Sequence, residues 1–284
     1  MLWIIDFFAN KKIKTAIFVR YADVRQNQLH IMDFRKINNL SVDCVIFGLG
    51  SDSLNVLLEK RSLNLFNENY PVIDDWILPG ENVFKSNNLG QSADKILKEV
   101  TDDSFSNKKQ FRTYGSHKRV KSDKDILWVR SQGGEARTIT VVYYLTLPQE
   151  NITIAADSDF RWFPVESLPQ VGFDHELIIN DAYDDLKSKV TTEPVMFDLV
   201  PIKFTLNELQ IAFETLLNIE LDNRNFRKKT ISKTYIVPLD DKRKVAGSKK
   251  PSKLYMFSKD VYEKIAEKDF MIGTILALVF KLFI

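Results

Sequence analysis

The chain has 284 residues, 44% hydrophobic and 27% charged, near the values of globular proteins. That excludes a disordered chain, a collagen-like repeat and a small disulfide scaffold, and at ~100–200 residues per domain the length predicts about two domains. The single cysteine, Cys44, forms no internal disulfide, and with only His30, His117 and His175 beside it no Cys/His zinc site is available. A reducing, cytoplasmic setting is expected.

At the N-terminus the apolar run Met1-Leu2-Trp3-Ile4-Ile5 precedes the positive charges Lys11, Lys12 and Lys14, the reverse of a secretory signal. Residues 1–40 are set apart as an N-terminal extension. From Ser41 to Glu59 the pattern reads strand, turn, strand: Val42, Cys44, Ile46 and Leu54, Val56, Leu58 alternate with their neighbours around Gly50-Ser51-Asp52, predicting a half-buried hairpin. Leu89, Ala93, Ile96, Leu97 and Val100 fall on one helix face, with Asn88 and Gln91 placed as a capping box. Arg137 to Leu147 reads as a long strand with Ile139, Val141, Tyr143, Leu145 and Leu147 on one face, and Asp174 as the N-cap of a helix reaching Val190. The order predicts an α+β domain over residues 41–192, with helices on both faces of its sheet.

Thr191 to Phe204, with Pro194 and Pro201, reads as an extended linker. Thr205-Leu206-Asn207-Glu208 is a capping box opening a helix with Leu206, Leu209, Phe213, Leu216 and Leu217 on one side. A turn over Asn218 to Leu221 leads to a second helix, Asn223 to Ile231, capped by Asp222, in which Phe226 and Ile231 are expected as core anchors. Tyr235–Leu239 and Leu254–Phe257 read as two short strands joined by a basic loop. Helix, turn, basic helix and hairpin make a winged helix-turn-helix, placed over residues 193–268. The last stretch, 269–284, is an apolar tail; Phe270 to Ile284 has one charge, Lys281, and its fifteen residues fall short of the ~20 that span a bilayer. A short packed helix or a loose end is favoured there over a membrane tether.

Charge is concentrated. Residues 222–253 hold eleven Lys/Arg against three acids, a net of +8, which leaves the rest of the chain at −6. A positive module on an otherwise acidic protein is the footprint of a polyanion partner, the phosphate backbone first among them.

Trp76 to Asp102 resembles the box of the Nudix fold, in which glutamates on one helix face hold the magnesium that polarises a diphosphate. In that register the leading glycine falls on Glu81 beside Gly80, the first glutamate on Asn87, the arginine on Lys95, and the glutamate-rich run on Ile96-Leu97-Lys98-Glu99-Val100, so of the box's chemistry only Glu99 remains. Further, Phe173-Asp174-His175, Glu193-Pro194, Phe204-Thr205-Leu206, Arg224-Asn225-Phe226-Arg227-Lys228 and Gly247-Ser248-Lys249 recur in this order in the Nudix-related transcriptional regulators, the sugar-sensing branch being the most similar. The resemblance covers about Ser41 to Phe257. It implies a Nudix-fold α/β/α sandwich with a mixed sheet followed by a winged helix, dimerisation, binding to double-stranded operator DNA, and sensing of a sugar or nucleotide-sugar effector.

One carboxylate is a poor magnesium cage, so neither metal nor other cofactor is expected and no catalytic residue is assigned. The alternative is a Nudix hydrolase acting on a nucleoside diphosphate-linked substrate such as ADP-ribose, with Mg²⁺ on a displaced site assembled from Glu99, Asp94, Asp102 and Asp103. Effector-binding candidates are Arg61, Arg137, Tyr143 (or Tyr144) and His175; a guanidinium suits phosphate, carboxylate or sugar hydroxyls. On the DNA side, Asn225 is expected to read adenine and Arg224 or Arg227 guanine. Lys228, Lys229, Arg243, Lys249 and Lys250, with Ser248 of the wing motif, are expected to hold phosphates.

Overall fold

The structure is a computed structural model that describes residues 36–101, 107–190, 192–244 and 250–266. Ser248, Lys249, Asp102 and Asp103, most of the N-terminal extension and the apolar tail lie outside the described residues. The first strand, β1 (Lys36–Leu49), turns back into β2 (Leu54–Leu63), followed by β3 (Ile73–Ile77), β4 (Gly80–Phe84), α1 (Leu89–Val100), β5 (Lys109–Tyr114), α2 (Asp123–Ser131), β6 (Ile139–Pro148), β7 (Phe160–Pro164) and α3 (His175–Lys189). The seven strands form one sheet with the path β3-β2-β1-β6-β5, β4 pairing with β1 and β7 with β2. Only β1 and β6 run parallel, in register from Leu40↔Ile139 to Leu49↔Pro148, so the sheet is mixed.

β1 is not half-buried as its alternation predicts. Val42, Cys44 and Ile46 pack with Ala93, Ile96 and Leu97 of α1, whereas Val45 and Phe47 pack with Ile178, Ile179, Ala182 and Leu186 of α3. Both faces are apolar because both are covered, and period-2 logic cannot separate the two. The capping box of α1 forms as expected: the Asn88 side chain accepts from the Gln91 N–H and Gln91 answers to the Asn88 N–H. α2 has no counterpart in the sequence reading. It is a short helix capped by Ser122, whose hydroxyl accepts from the Asp125 N–H.

The segment expected as an extended linker is instead a 3₁₀ turn, Val195–Asp198, and Val195, Met196, Leu199, Val200 and Phe204 are buried. They belong to the same apolar cluster as the α3 face of the sheet. That cluster continues into α4 (Leu206–Leu217) through Leu206, Leu209, Ala212 and Leu216. A left-handed Asn218 (φ 52°) ends α4, and α5 (Asn223–Ile231) starts on the Asp222 cap. β8 (Ile236–Arg243) and β9 (Ser252–Phe257) form the wing, longer than expected, with Phe204 joined to Tyr255 of β9 by an isolated antiparallel bridge. Residues 259–266 are helical. No helix among the described residues is long and apolar enough to cross a membrane.

Candidate functional site

One end of the sheet opens into a cleft of about 150 Å³ between β1, β4, α2 and the start of α3. Asp43 (β1), Glu81 and Asn82 (β4), Arg119 and Trp128 (the α2 wall), and Phe173 and His175 face it. Gly80 lets β1 and β4 close up here, because a Cβ at that position would overlap the Asp43 carboxylate. Arg119, 6% exposed, donates from Nε to both oxygens of Asp174 (3.0 and 2.8 Å), and its Nη2 lies 3.6 Å from Asp43 Oδ2. Asp174 therefore does not cap α3 with its side chain, as the sequence predicts; its carboxylate is turned to Arg119. Burial raises the Asp43 pKa, with Arg119 and Thr140 pulling the other way. Glu81 accepts from Lys95 Nζ (2.5 Å) through one oxygen, while its other, Oε1, is buried without a partner. The cleft thus offers a cation and one unpaired acceptor together, which suits a ligand carrying both an anionic group and hydroxyl donors.

Of the four effector candidates, the structure brings one to the cleft. His175 accepts the Leu78 N–H at Nδ1 (2.9 Å), so its proton sits on Nε2, 3.7 Å from Asp43. Burial, then the neighbouring Arg119, lowers its pKa to about 3, and it is neutral. Arg61 is 1% exposed and lies behind the cleft. It pairs with Asp75 and with Asp125 (2.6 Å), stacks 4.7 Å from the Phe173 ring, and abuts Gly172, where a Cβ would overlap it. Its hydrogen bonds to the two carboxylates keep it charged although burial opposes that. Tyr143 packs on the α1 side of the sheet with its hydroxyl on Gln110 (3.2 Å), and Tyr144 packs on the opposite face. Arg137 is exposed and donates to the Gly115 carbonyl (2.7 Å). Sequence reasoning missed Asp43, Arg119 and Trp128; the one local signal was the basic run His117-Lys118-Arg119, which reads as a solvated loop.

The residues at the Nudix box do not fit a magnesium cage. Ile96 is buried in the core beneath α1, Val100 is half-buried, and Glu99 is exposed. Among the described residues no group of three or more His, Cys, Asp or Glu is placed to hold a metal ion.

On the winged helix, Arg224, Arg227 and Lys228 are exposed and share one stripe of α5 at i, i+3, i+4. Ile231 continues that stripe at 54% exposure rather than anchoring the core. The inward face carries Phe226, edge-on to Phe213 at 5.8 Å, and buried Thr230 one turn on. Asn225 and Lys229 line a cavity of about 330 Å³ between α5 and the 3₁₀ turn, off the outward stripe. Arg243 is held by both oxygens of Glu208, the capping-box residue of α4 (2.6 and 2.5 Å), and Lys250 is exposed at the wing.

A Nudix-like sandwich packed on a winged helix with a basic stripe is the domain pair of the Nudix-related transcriptional regulators. Residues 196–257 match the family model of the NrtR DNA-binding winged helix domain. The chain is 28% identical over 232 residues (79% of this chain, 84% of the relative) to the ADPR-responsive transcriptional repressor NtrR of Acinetobacter baylyi. It is also similar to the crystal structure of Shewanella oneidensis NrtR complexed with a 27mer DNA, at TM-score 0.60 and 26% identity, covering 78% of this chain and 94% of that one. A MutT/nudix family protein from Enterococcus faecalis shares the fold at TM-score 0.57 and 22% identity, over 88% and 99% of the two chains. The chain is thus similar along most of its length to NrtR-like, Nudix-related transcriptional regulators, and residues 196–257 form a winged helix of the NrtR type.

Proposed function

We propose that this protein is a ligand-responsive, DNA-binding transcriptional regulator of the cytoplasm, acting as a homodimer on operator DNA. Its effector domain begins with β1 at Lys36, five residues before the boundary the sequence predicts, and ends near residue 192, where the winged helix part follows. The outward stripe of α5 enters the major groove: Arg224 and Arg227 reach base edges, Lys228 and the wing hold phosphates. The cleft takes a nucleotide sugar, with ADP-ribose first because the Acinetobacter baylyi relative responds to it. Arg119 suits its diphosphate, and the unpaired Glu81 oxygen and Asp43 suit its ribose hydroxyls. No cofactor takes part. The observation that carries this reading is that the cleft-bearing sheet and the basic winged helix share one apolar core.

The test is a gel shift on duplexes selected from a random pool, with and without ADP-ribose, free ribose or AMP. ADP-ribose is expected to change the affinity and free ribose to leave it unchanged. Absence of sequence-selective binding refutes the regulator reading. Mg²⁺-dependent turnover of ADP-ribose by the purified chain, lost in Glu99→Gln, replaces it with the hydrolase.

A further inference from the structure

At about 150 Å³ the cleft is smaller than the ~300–1,000 Å³ pockets that hold small molecules. The cleft is open on one side, so a nucleotide-sized ligand lies partly outside it, and the part that enters meets Arg119. The sheet side is fixed by the β1–β6 and β1–β4 ladders. The opposite wall is α2 with the turn before it, tied to residues 173–175 by Arg119–Asp174 and by Asp125 Oδ1, which accepts from both Arg61 Nη2 (2.6 Å) and the Phe173 N–H (3.2 Å). Phe173 itself sits in the left-handed region at φ 57°, a conformation a non-glycine residue keeps only while its surroundings hold it. From Asp174, α3 runs straight into the shared core, where the Tyr183 hydroxyl donates to the Leu216 carbonyl of α4 (3.2 Å). α4 in turn meets α5 through Phe213 on Phe226, and Glu214 Oε1 accepts the Leu221 N–H in the turn between them.

We propose that the Arg119–Asp174 ion pair is the switch that reports cleft occupancy to the winged helix: an anionic ligand takes Arg119, the first turn of α3 is released, and α3, bonded to α4 through Tyr183, shifts. Arg119 serves both states, because the same guanidinium that closes the cleft onto Asp174 is its one buried cation in reach of a ligand phosphate. The ligand shifts the equilibrium because it binds the released arrangement better, as any coupling requires. This inference rests on the effector reading above and names its regulation.

The test uses the full chain, Asp174→Asn, and selected operator duplex, with ADP-ribose as probe. The substitution removes the partner that holds Arg119, so calorimetry is expected to show ADP-ribose binding at least fivefold tighter than to the wild type, the reciprocal of the operator shift. Operator affinity without ligand is expected to move at least fivefold in the direction in which ADP-ribose moves the wild type, and added ADP-ribose to change it less than twofold further. Tyr183→Phe, farther from the cleft, is expected to keep ligand binding and lose part of the response. Faster amide exchange over residues 174–178 on ADP-ribose binding is the matching signature in the wild type. An Asp174→Asn protein with wild-type operator affinity and a full ADP-ribose response overturns the switch and leaves the regulator intact. A wild type that ignores ADP-ribose, with Asp174→Asn still shifting operator affinity, removes ADP-ribose as effector and keeps the ion pair as the control point.

Discussion

Glu59 sits on β2, on the same face as Leu57, facing α1, and burial raises its pKa to about 7, with Glu99, Asp159 and Asp43 adding to the rise. A carboxylate whose folded pKa lies above its unfolded value of 4.5 stabilises the fold fully below pH 4.5, and that contribution is lost as pH rises through 7. At pH 8 the native protein therefore holds an ionised Glu59 at a cost. Glu59→Gln removes that cost and is expected to raise stability at pH 8 by on the order of 2 kcal/mol, with little change at pH 4.5. Urea unfolding of both proteins at the two pH values checks it; a variant with no gain at pH 8 contradicts the assigned environment. Arg61 makes the complementary point about legibility. Read along the chain, it is an arginine at a strand end, a natural ligand clamp. In the fold its partners come from β3 and α2, 14 and 64 residues away, and it is a structural cation. Arg119 reverses the error: it stands in a basic run that looks solvated, yet it is the buried one. Side-chain fate at this scale depends on long-range pairing, which no local pattern carries.

Elements were far more legible, because caps and periodicity are local. Asn88 with Gln91 and Thr205 with Glu208 form the capping boxes their spacing predicts, and α5 begins and ends at the residues its pattern marks. Where reading failed, the cause was again non-local. Ile231 fits a core anchor by hydrophobicity, but Phe226 already fixes which face of α5 turns inward, and Ile231 falls on the other. The same geometry separates the basic residues. Arg227→Ala is expected to weaken operator binding by ~1–3 kcal/mol and to relax base choice, whereas Lys229→Ala, beside the cavity behind the helix, is expected to change affinity less than threefold with selectivity kept. Binding titrations on the selected duplex and on single-base variants separate the two; equal losses would put the outward stripe away from the groove. Glu208 ties this element to the wing, since it both caps α4 and holds Arg243. The wing position is thereby set by the helix, and Arg243 serves to hold it there.

At the scale of the molecule, the decisive segment is the one that reads as a linker. Its prolines suggest a boundary, and a boundary would leave the winged helix loosely tethered, unable to feel the cleft. Instead Phe197 stacks on Phe257 at 4.2 Å and 4°, with Phe204 at 5.8 Å and Tyr235 at 6.4 Å around it. Val195, Met196, Leu199 and Val200 belong to the one apolar cluster that takes in the sheet, α3 and α4. A connection built as core makes the two parts one cooperative body, which is what allows a sub-domain shift at α3 to be felt at α5 rather than absorbed in a hinge. The consequence is thermodynamic. The wild type is expected to unfold in a single calorimetric transition, with calorimetric and van't Hoff enthalpies in agreement. Phe197→Ala, which removes the stacked ring at the junction, is expected to cost about 3 kcal/mol and to resolve the melt into two steps, with the winged helix melting first. Under the proposed function it should also blunt the effector response without weakening effector binding, because the cleft lies at the other end of the sheet. A wild-type melt already in two steps would mean that the apolar continuity carries no coupling, and that the cleft has to speak to the winged helix by another route.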